Sequence, residues 1–180
     1  MEGARTVLLF YADELVMNYL KDKISHMGDY AVTAVNTAAL GLETIRSKGF
    51  DVVVVQSQMW DLDDATLITE LKNADSDCVI IMLIKEVDAE ISRQMFRLGV
   101  YDFISEPLDL EKLLLFIKKG VELHTFKASQ RKLIQGLQEQ NTALQRQNAL
   151  LTKRVEESTK NLSRLYENLR STYIRAVRAL

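Results

Sequence analysis

Four short stretches hold the side chains best placed to do chemistry. They are Tyr11-Ala12-Asp13-Glu14, the run QSQMWDLDD from Gln56 to Asp64, Ile84-Lys85, and Ser105-Glu106-Pro107. Oxygen donors such as Asp13, Glu14 and Asp61 suit a hard divalent cation, provided several of them converge. Other chemistries lack their equipment. There is no glycine-rich phosphate loop, no GxGxxG and no Ser/His/Asp arrangement. One cysteine, Cys78, and two distant histidines, His26 and His124, exclude a Cys/His zinc site. Cys78 sits in the apolar run CVIIMLI, which reads as an inert buried thiol in a reducing cytoplasm. His26 reads as a helix-end residue and His124 as an exposed one, neither with a visible metal or catalytic partner. No cofactor is called for.

Each of the four stretches follows a predicted strand. Thr6–Tyr11, Phe50–Val55 and Val79–Ile84 are nearly unbroken apolar runs, as expected of parallel strands covered on both faces. Tyr30–Val35 and Asp102–Ile104 complete a set of five. Helical spacing fills the intervals: Asp13–Met27, Thr37–Arg46 with Thr37 as cap, Asp63 or Asp64 to Leu71, Ala89–Leu98 stopped by Gly99, and a helix from Asp109. Five strand–helix units in about 120 residues predict an α/β fold, a doubly wound five-stranded parallel sheet. In such sheets function gathers at the carboxyl ends of the strands, where the four stretches lie.

The residues also carry a resemblance. DVVVVQSQMWDLDD resembles DLVLLDxxMPxMDG, and LGVYDFISEPLDLEKL resembles GAxDYLxKPFxxxEL, two motifs of the receiver domain of bacterial two-component response regulators. The likeness runs from residue 5 to about 122. It implies a flavodoxin-like fold and an ancestral site in which an aspartate accepts a phosphoryl group beside magnesium. At the matching positions this chain departs from the family. The acidic pair falls on Tyr11 and Ala12, followed by Asp13. The acceptor is Gln56, the Thr/Ser position is Ile84, and the Lys position is Glu106. An amide is no acyl-phosphate nucleophile, and Glu106 puts negative charge where a phosphoryl oxygen needs a cation. The resemblance therefore implies a receiver without phosphoryl chemistry, metal or catalysis.

Several positions carry two readings. Asp13 and Glu14 either rescue a metal site by slipping one position or act as helix N-terminal acids, the preferred reading. Lys85 either neutralises Glu106 across neighbouring strands or stands in solvent. Ser57 is expected to point away from Gln56, because strand side chains alternate. Trp60 replaces the family's proline and is expected to fill the vacated pocket rather than face a partner. Phe103 matches the family's switching aromatic but reads as ordinary core. The Glu106–Pro107 bond is a candidate for cis.

Beyond the sheet the physics changes. Residues 1–123 carry 12 Lys+Arg and 21 Asp+Glu, net −9, whereas residues 124–180 carry 11 and 4, net +7. A heptad from Ile134 puts Ile134, Asn141, Asn148, Val155, Leu162 and Leu169 at a, and Leu137, Leu144, Leu151, Ser158, Leu165 and Thr172 at d. That 3–4 spacing predicts a coiled coil, and two consecutive asparagines at a with leucine at d favour a parallel homodimer. The alternative is one amphipathic helix folded back on the sheet domain. The bases are spread along the helix without a continuous basic region, so no nucleic acid is expected. No apolar run reaches the roughly 18 residues of a spanning helix, so no membrane is expected.

The division expected is 1–123 receiver-like, 124–172 coiled-coil signalling helix, and 173–180 possible start of a missing effector domain. There Tyr173, Ile174, Val177 and Leu180 form a wider apolar face. The terminal NLSRLYENLRSTYIRAVRAL resembles the connector into HD-GYP cyclic-dinucleotide phosphodiesterase domains, whose first helix reads TYxxTVxAL. Two functions follow: a non-phosphorylatable signalling module that dimerises and acts on an unknown signalling protein, or the regulatory part of such a phosphodiesterase.

Overall fold

The computed structural model describes residues 5–28, 30–86 and 88–178. The chain divides into two units, one up to Gln130 and one from Arg131. In the first unit β1 (Arg5–Phe10), β2 (Tyr30–Val35), β3 (Val52–Gln56), β4 (Val79–Ile84) and β5 (Val100–Ser105) alternate with α1 (Glu14–Gly28), α2 (Ala38–Ser47), α3 (Asp64–Ala74), α4 (Ala89–Leu98) and the start of α5 (Leu110–Arg178). All strand pairs are parallel, in the order β2-β1-β3-β4-β5. This is the expected doubly wound sheet.

The unbroken apolar strands have a simple cause. Leu8, Phe10, Val53, Val55, Ile80 and Met82 face a core shared with α2, α3 and α4. Their neighbours Val7, Leu9, Val52, Val54, Val79 and Ile81 face a second core shared with α1 and α5. Both sets are fully buried or nearly so. Water reaches neither face, so alternation with polar residues would leave side chains unsolvated.

Local chemistry sets the helix starts. Thr37 Oγ1 accepts from Leu40 N at 3.2 Å, and Asp63 Oδ1 accepts from Thr66 N at 3.0 Å. Asp88 Oδ1 accepts from Glu90 N and Ile91 N at 2.7 and 2.9 Å. Gly99 ends α4 at φ 103°, a left-handed conformation that favours glycine. The fifth strand runs Val100–Ser105, longer than the expected Asp102–Ile104, because β4 supplies ladder partners from Val100 to Ser105, with a register shift that leaves out Tyr101.

Helix α5 packs on the sheet through Leu113, Ile117 and Val121. Gly120 lets it come close: a Cβ there would lie 2.9 Å from Val52 Cγ2 and 3.2 Å from Val79 Cγ1. One turn on, His124 corrects the sequence reading. Its side chain is only 21% exposed, and Nδ1 lies 2.8 Å from Asp51 Oδ1. Asp51 Oδ2 accepts in turn from Thr6 N at 2.7 Å and Thr6 Oγ1 at 3.1 Å. His124 thus belongs to the compact unit, which takes in residues past 123.

The second unit is helical through Arg178. Its a and d residues, from Ile134 and Leu137 through Leu144, Leu151, Val155, Leu162 and Leu165 to Leu169, are all exposed on this single chain, as are Asn141 and Asn148. Of the wider terminal face, Tyr173 and Ile174 are exposed, while the Val177 side chain and Leu180 lie outside the described residues. No helix among the described residues is long and apolar enough to cross a membrane.

Candidate functional site

The four chemical stretches meet at the carboxyl edge of the sheet. Strand β1 ends beside β3, in register Phe10↔Val55, which sets Tyr11 and Ala12 next to Gln56. There Gln56 Oε1 accepts from Ala12 N at 2.8 Å. The side chain at the acceptor position is therefore neutral, and its amide oxygen is engaged by the main chain of the neighbouring loop. Tyr11 is half-buried beside it, with its N–H donating to Val35 O at 3.0 Å. Burial, then the charges of Glu106 and Asp13, push the Tyr11 phenol above its ordinary value and keep it protonated at neutral pH.

The carboxylates nearby serve as helix caps. Asp13 Oδ1 accepts from Leu15 N and Val16 N, at 2.9 and 3.1 Å. Asp61 reaches across to α2, where Oδ1 and Oδ2 accept from Ala38 N and Ala39 N, both at 3.1 Å. Asp109 holds the first turn of α5 through Glu111 N at 2.9 Å. Of the acids weighed as a rescued cation site, Asp13 and Asp61 thus cap different helices, and Glu14 lies in the first turn of α1. Among the described residues no three His, Cys, Asp or Glu side chains converge to hold a metal.

The remaining positions bring no cation to Glu106. Ile84 is buried in the α2–α4 core, and its carbonyl accepts from Glu106 N at 2.9 Å. Glu106 is exposed and precedes Pro107 through a cis bond. No ion pair joins Lys85 to Glu106 among the described residues, and Lys85 stands exposed at the edge of a hollow shared with Ser57, Asp64 and Phe103. Ser57 is turned from Gln56 as expected, its hydroxyl donating to Asp64 Oδ2 at 2.5 Å. Phe103 packs edge-on against Phe96, with centroids 4.8 Å apart.

Trp60 overturns an expectation. It does not fill the vacated pocket: the residue is 76% exposed, while its neighbour Met59 turns into the core at 5%. Gln58 at φ 61° redirects the loop so that Met59, not Trp60, points inward. Gln56 instead turns its amide oxygen to Ala12 N.

A phosphoryl site of the implied kind needs converging anionic oxygens for magnesium and a balancing ammonium. Here the donor set is a protonated phenol, an alanine, an amide and one capping aspartate, with a glutamate at the cation's position. These residues do not fit the magnesium ion that the resemblance implies. Sequence reasoning located this edge and its residues. It missed Asp61 as the cap of α2 and the Asp51–His124 pair, for which no local pattern gave a signal.

Comparison with known proteins agrees with the fold. The family model "Response regulator receiver domain" matches residues 7–118. The chain is 27% identical over 141 residues to the C4-dicarboxylate transport transcriptional regulatory protein DctD of Pseudomonas aeruginosa, covering 77% of this chain and 30% of that one. It is 22% identical over 121 residues to transcriptional regulatory protein ZraR of Klebsiella oxytoca, covering 67% and 27%. The chain thus spans about a third or less of these relatives. Among solved structures, a CheY-like receiver domain protein from Methanospirillum hungatei superposes with a TM-score of 0.65 at 20% identity, over 69% of this chain and 99% of that one. The signal receiver domain of an HD domain-containing protein from Pseudomonas fluorescens gives 0.66 at 20%, over 72% and 95%. From residue 7 to 118, in fold and in sequence, this chain belongs to the response regulator receiver domain family.

Proposed function

We propose that this receiver works in two-component signalling without being phosphorylated, as a dimeric module that acts through protein contacts. The observation that carries the reading is Gln56: a non-nucleophilic amide at the acceptor position, already accepting a hydrogen bond from Ala12 N. Tyr11, Ala12, Ile84 and Glu106 support it, since restoring one residue leaves the rest of the machinery absent.

Dimerisation rests on the heptads. Leucines at d and the aliphatic a residues stay exposed along a single helix, which is an unfavourable arrangement for so much apolar surface. A second copy in parallel register would bury them, with Asn141 and Asn148 hydrogen-bonding across the seam and fixing two strands. In this reading the receiver head extends to residue 130, the signalling helix runs from 131 to 172, and 173–180 are the approach to an effector. Incubation with magnesium and a small phosphoryl donor, followed by intact mass, tests the first claim. No mass gain is expected, and a stable gain of one phosphoryl group defeats it. Sedimentation at micromolar concentration should give a dimer.

A second reading makes the chain the regulatory part of an HD-GYP phosphodiesterase. It is favoured by the terminal STYIRAVRAL pattern and by the likeness of the receiver to one from an HD domain-containing protein. A coding sequence continuing past Leu180 into a His-Asp doublet would decide for it.

A further inference from the structure

Trp60 is the only tryptophan of the chain, and it is held out in solvent by a loop that is itself tied down. On one side, Gln58 N donates to Asp64 Oδ1 at 2.8 Å and Ser57 Oγ donates to Asp64 Oδ2. On the other, Asp61 is bound by both oxygens to the first turn of α2, and Asp63 caps α3. Met59 anchors the middle in the core. A large aromatic on a braced loop loses little freedom when it is covered, which is the condition under which tryptophan makes a strong contact.

Its surroundings define what would cover it. Leu40, in the α2 turn that Asp61 grips, is 48% exposed, and Leu15, in the first turn of α1, is 83% exposed. The loops at this edge, with the first residue of each helix, carry nine carboxylates: Asp13, Glu14, Asp61, Asp63, Asp64, Glu86, Asp88, Glu106 and Asp109. Lys85 is their only cation. Asp13, Asp61, Asp63, Asp64, Asp88 and Asp109 accept from backbone N–H groups, and Asp64 also from the Ser57 hydroxyl; no ion pair among the described residues involves any of the nine, so the surface remains strongly negative.

We propose that this edge, with Trp60 as its aromatic anchor, is a docking surface for a lysine- and arginine-rich amphipathic segment of a partner protein. Apolar residues of that segment cover Trp60 and Leu40, its cations approach the ring face, and the carboxylates set its orientation. The proposal rests on the reading that the module acts through protein contacts.

The probe is a tryptophan-free amphipathic Leu/Arg peptide titrated into the full chain, with a Leu/Glu peptide of equal length as control. Trp60 emission reports the site alone, and calorimetry gives affinity for every variant. The expected result is a saturable blue shift at one peptide per chain, absent with the Leu/Glu peptide and weakened at about 0.5 M salt. Trp60→Ala should weaken binding about tenfold or more, and Trp60→Phe by less. Equal affinity for Trp60→Ala and the unaltered chain would reduce the effect to bulk charge attraction and overturn the proposal, as would no binding at about 100 µM. A concentration-dependent shift before peptide is added would assign the surface to a second copy instead, which also overturns it. These outcomes are separate from the phosphoryl mass measurement, which tests the underlying reading.

Discussion

Returning an aspartate to the acceptor position, Gln56→Asp, should leave the protein unphosphorylated and less stable. The side chain is one methylene shorter, so its oxygen withdraws from Ala12 N, now 2.8 Å from Gln56 Oε1. That bond lies at a half-exposed edge, and its loss is worth about 0.5–1 kcal/mol. The new carboxylate also joins an edge where Glu106 and Asp13 already bear on Tyr11, which costs roughly 0.5 kcal/mol through solvent. Gln56→Glu separates the two effects, since it keeps the reach and adds only the charge. Urea unfolding should therefore show a loss of about 1–1.5 kcal/mol for Gln56→Asp and about half that or less for Gln56→Glu. With magnesium and a phosphoryl donor neither variant should gain mass, because no ammonium replaces Glu106 and no second carboxylate replaces Ala12. A phosphorylated Gln56→Asp protein would refute the view that the whole site is dismantled. A Gln56→Glu protein less stable than Gln56→Asp would refute the account of the Ala12 bond.

Gly41→Ala should destabilise by about 2 kcal/mol in urea despite the better helix propensity of alanine, since the new Cβ would lie 2.0 Å from Phe10 Cε1 in a fully buried ring. His124→Ala leaves Asp51 Oδ1 without its partner, and with both side chains about four-fifths covered the cost is about 1–2 kcal/mol. Hydrogen exchange should then speed up at the amides of residues 121–130. Tyr11 has its phenol pKa raised on folding, so its contribution to stability is complete below pH 10 and is lost as pH climbs through the raised value. Alkaline unfolding should accordingly start later in Tyr11→Phe. Asn148→Leu should raise the Tm of the proposed coiled-coil dimer and blur its strand number, seen as species larger than a dimer in sedimentation.

The fold was legible because it is written in local patterns. Apolar runs of strand length, alternating with 3.6-residue periods and punctuated by Thr37, Asp63 and Gly99, specify a parallel sheet covered on both faces. The site positions were legible for a related reason: strand ends are easy to find, and Tyr11, Gln56, Ile84 and Glu106 follow directly from them. Trp60 was misread because filling a pocket was inferred from the type of residue lost, whereas the backbone at Gln58 turns Met59 inward instead.

What the sequence alone determined was therefore the sheet, its order of elements and the chemical poverty of its carboxyl edge, all set by residue type and spacing. What tertiary structure decided was pairing across the chain: Gln56 with Ala12, Asp61 with the α2 turn, and His124 with Asp51. Such contacts depend on where distant backbone segments come to lie within hydrogen-bond reach. Hydrogen bonds act over about 3 Å, and no periodicity along the chain encodes a distance of that kind.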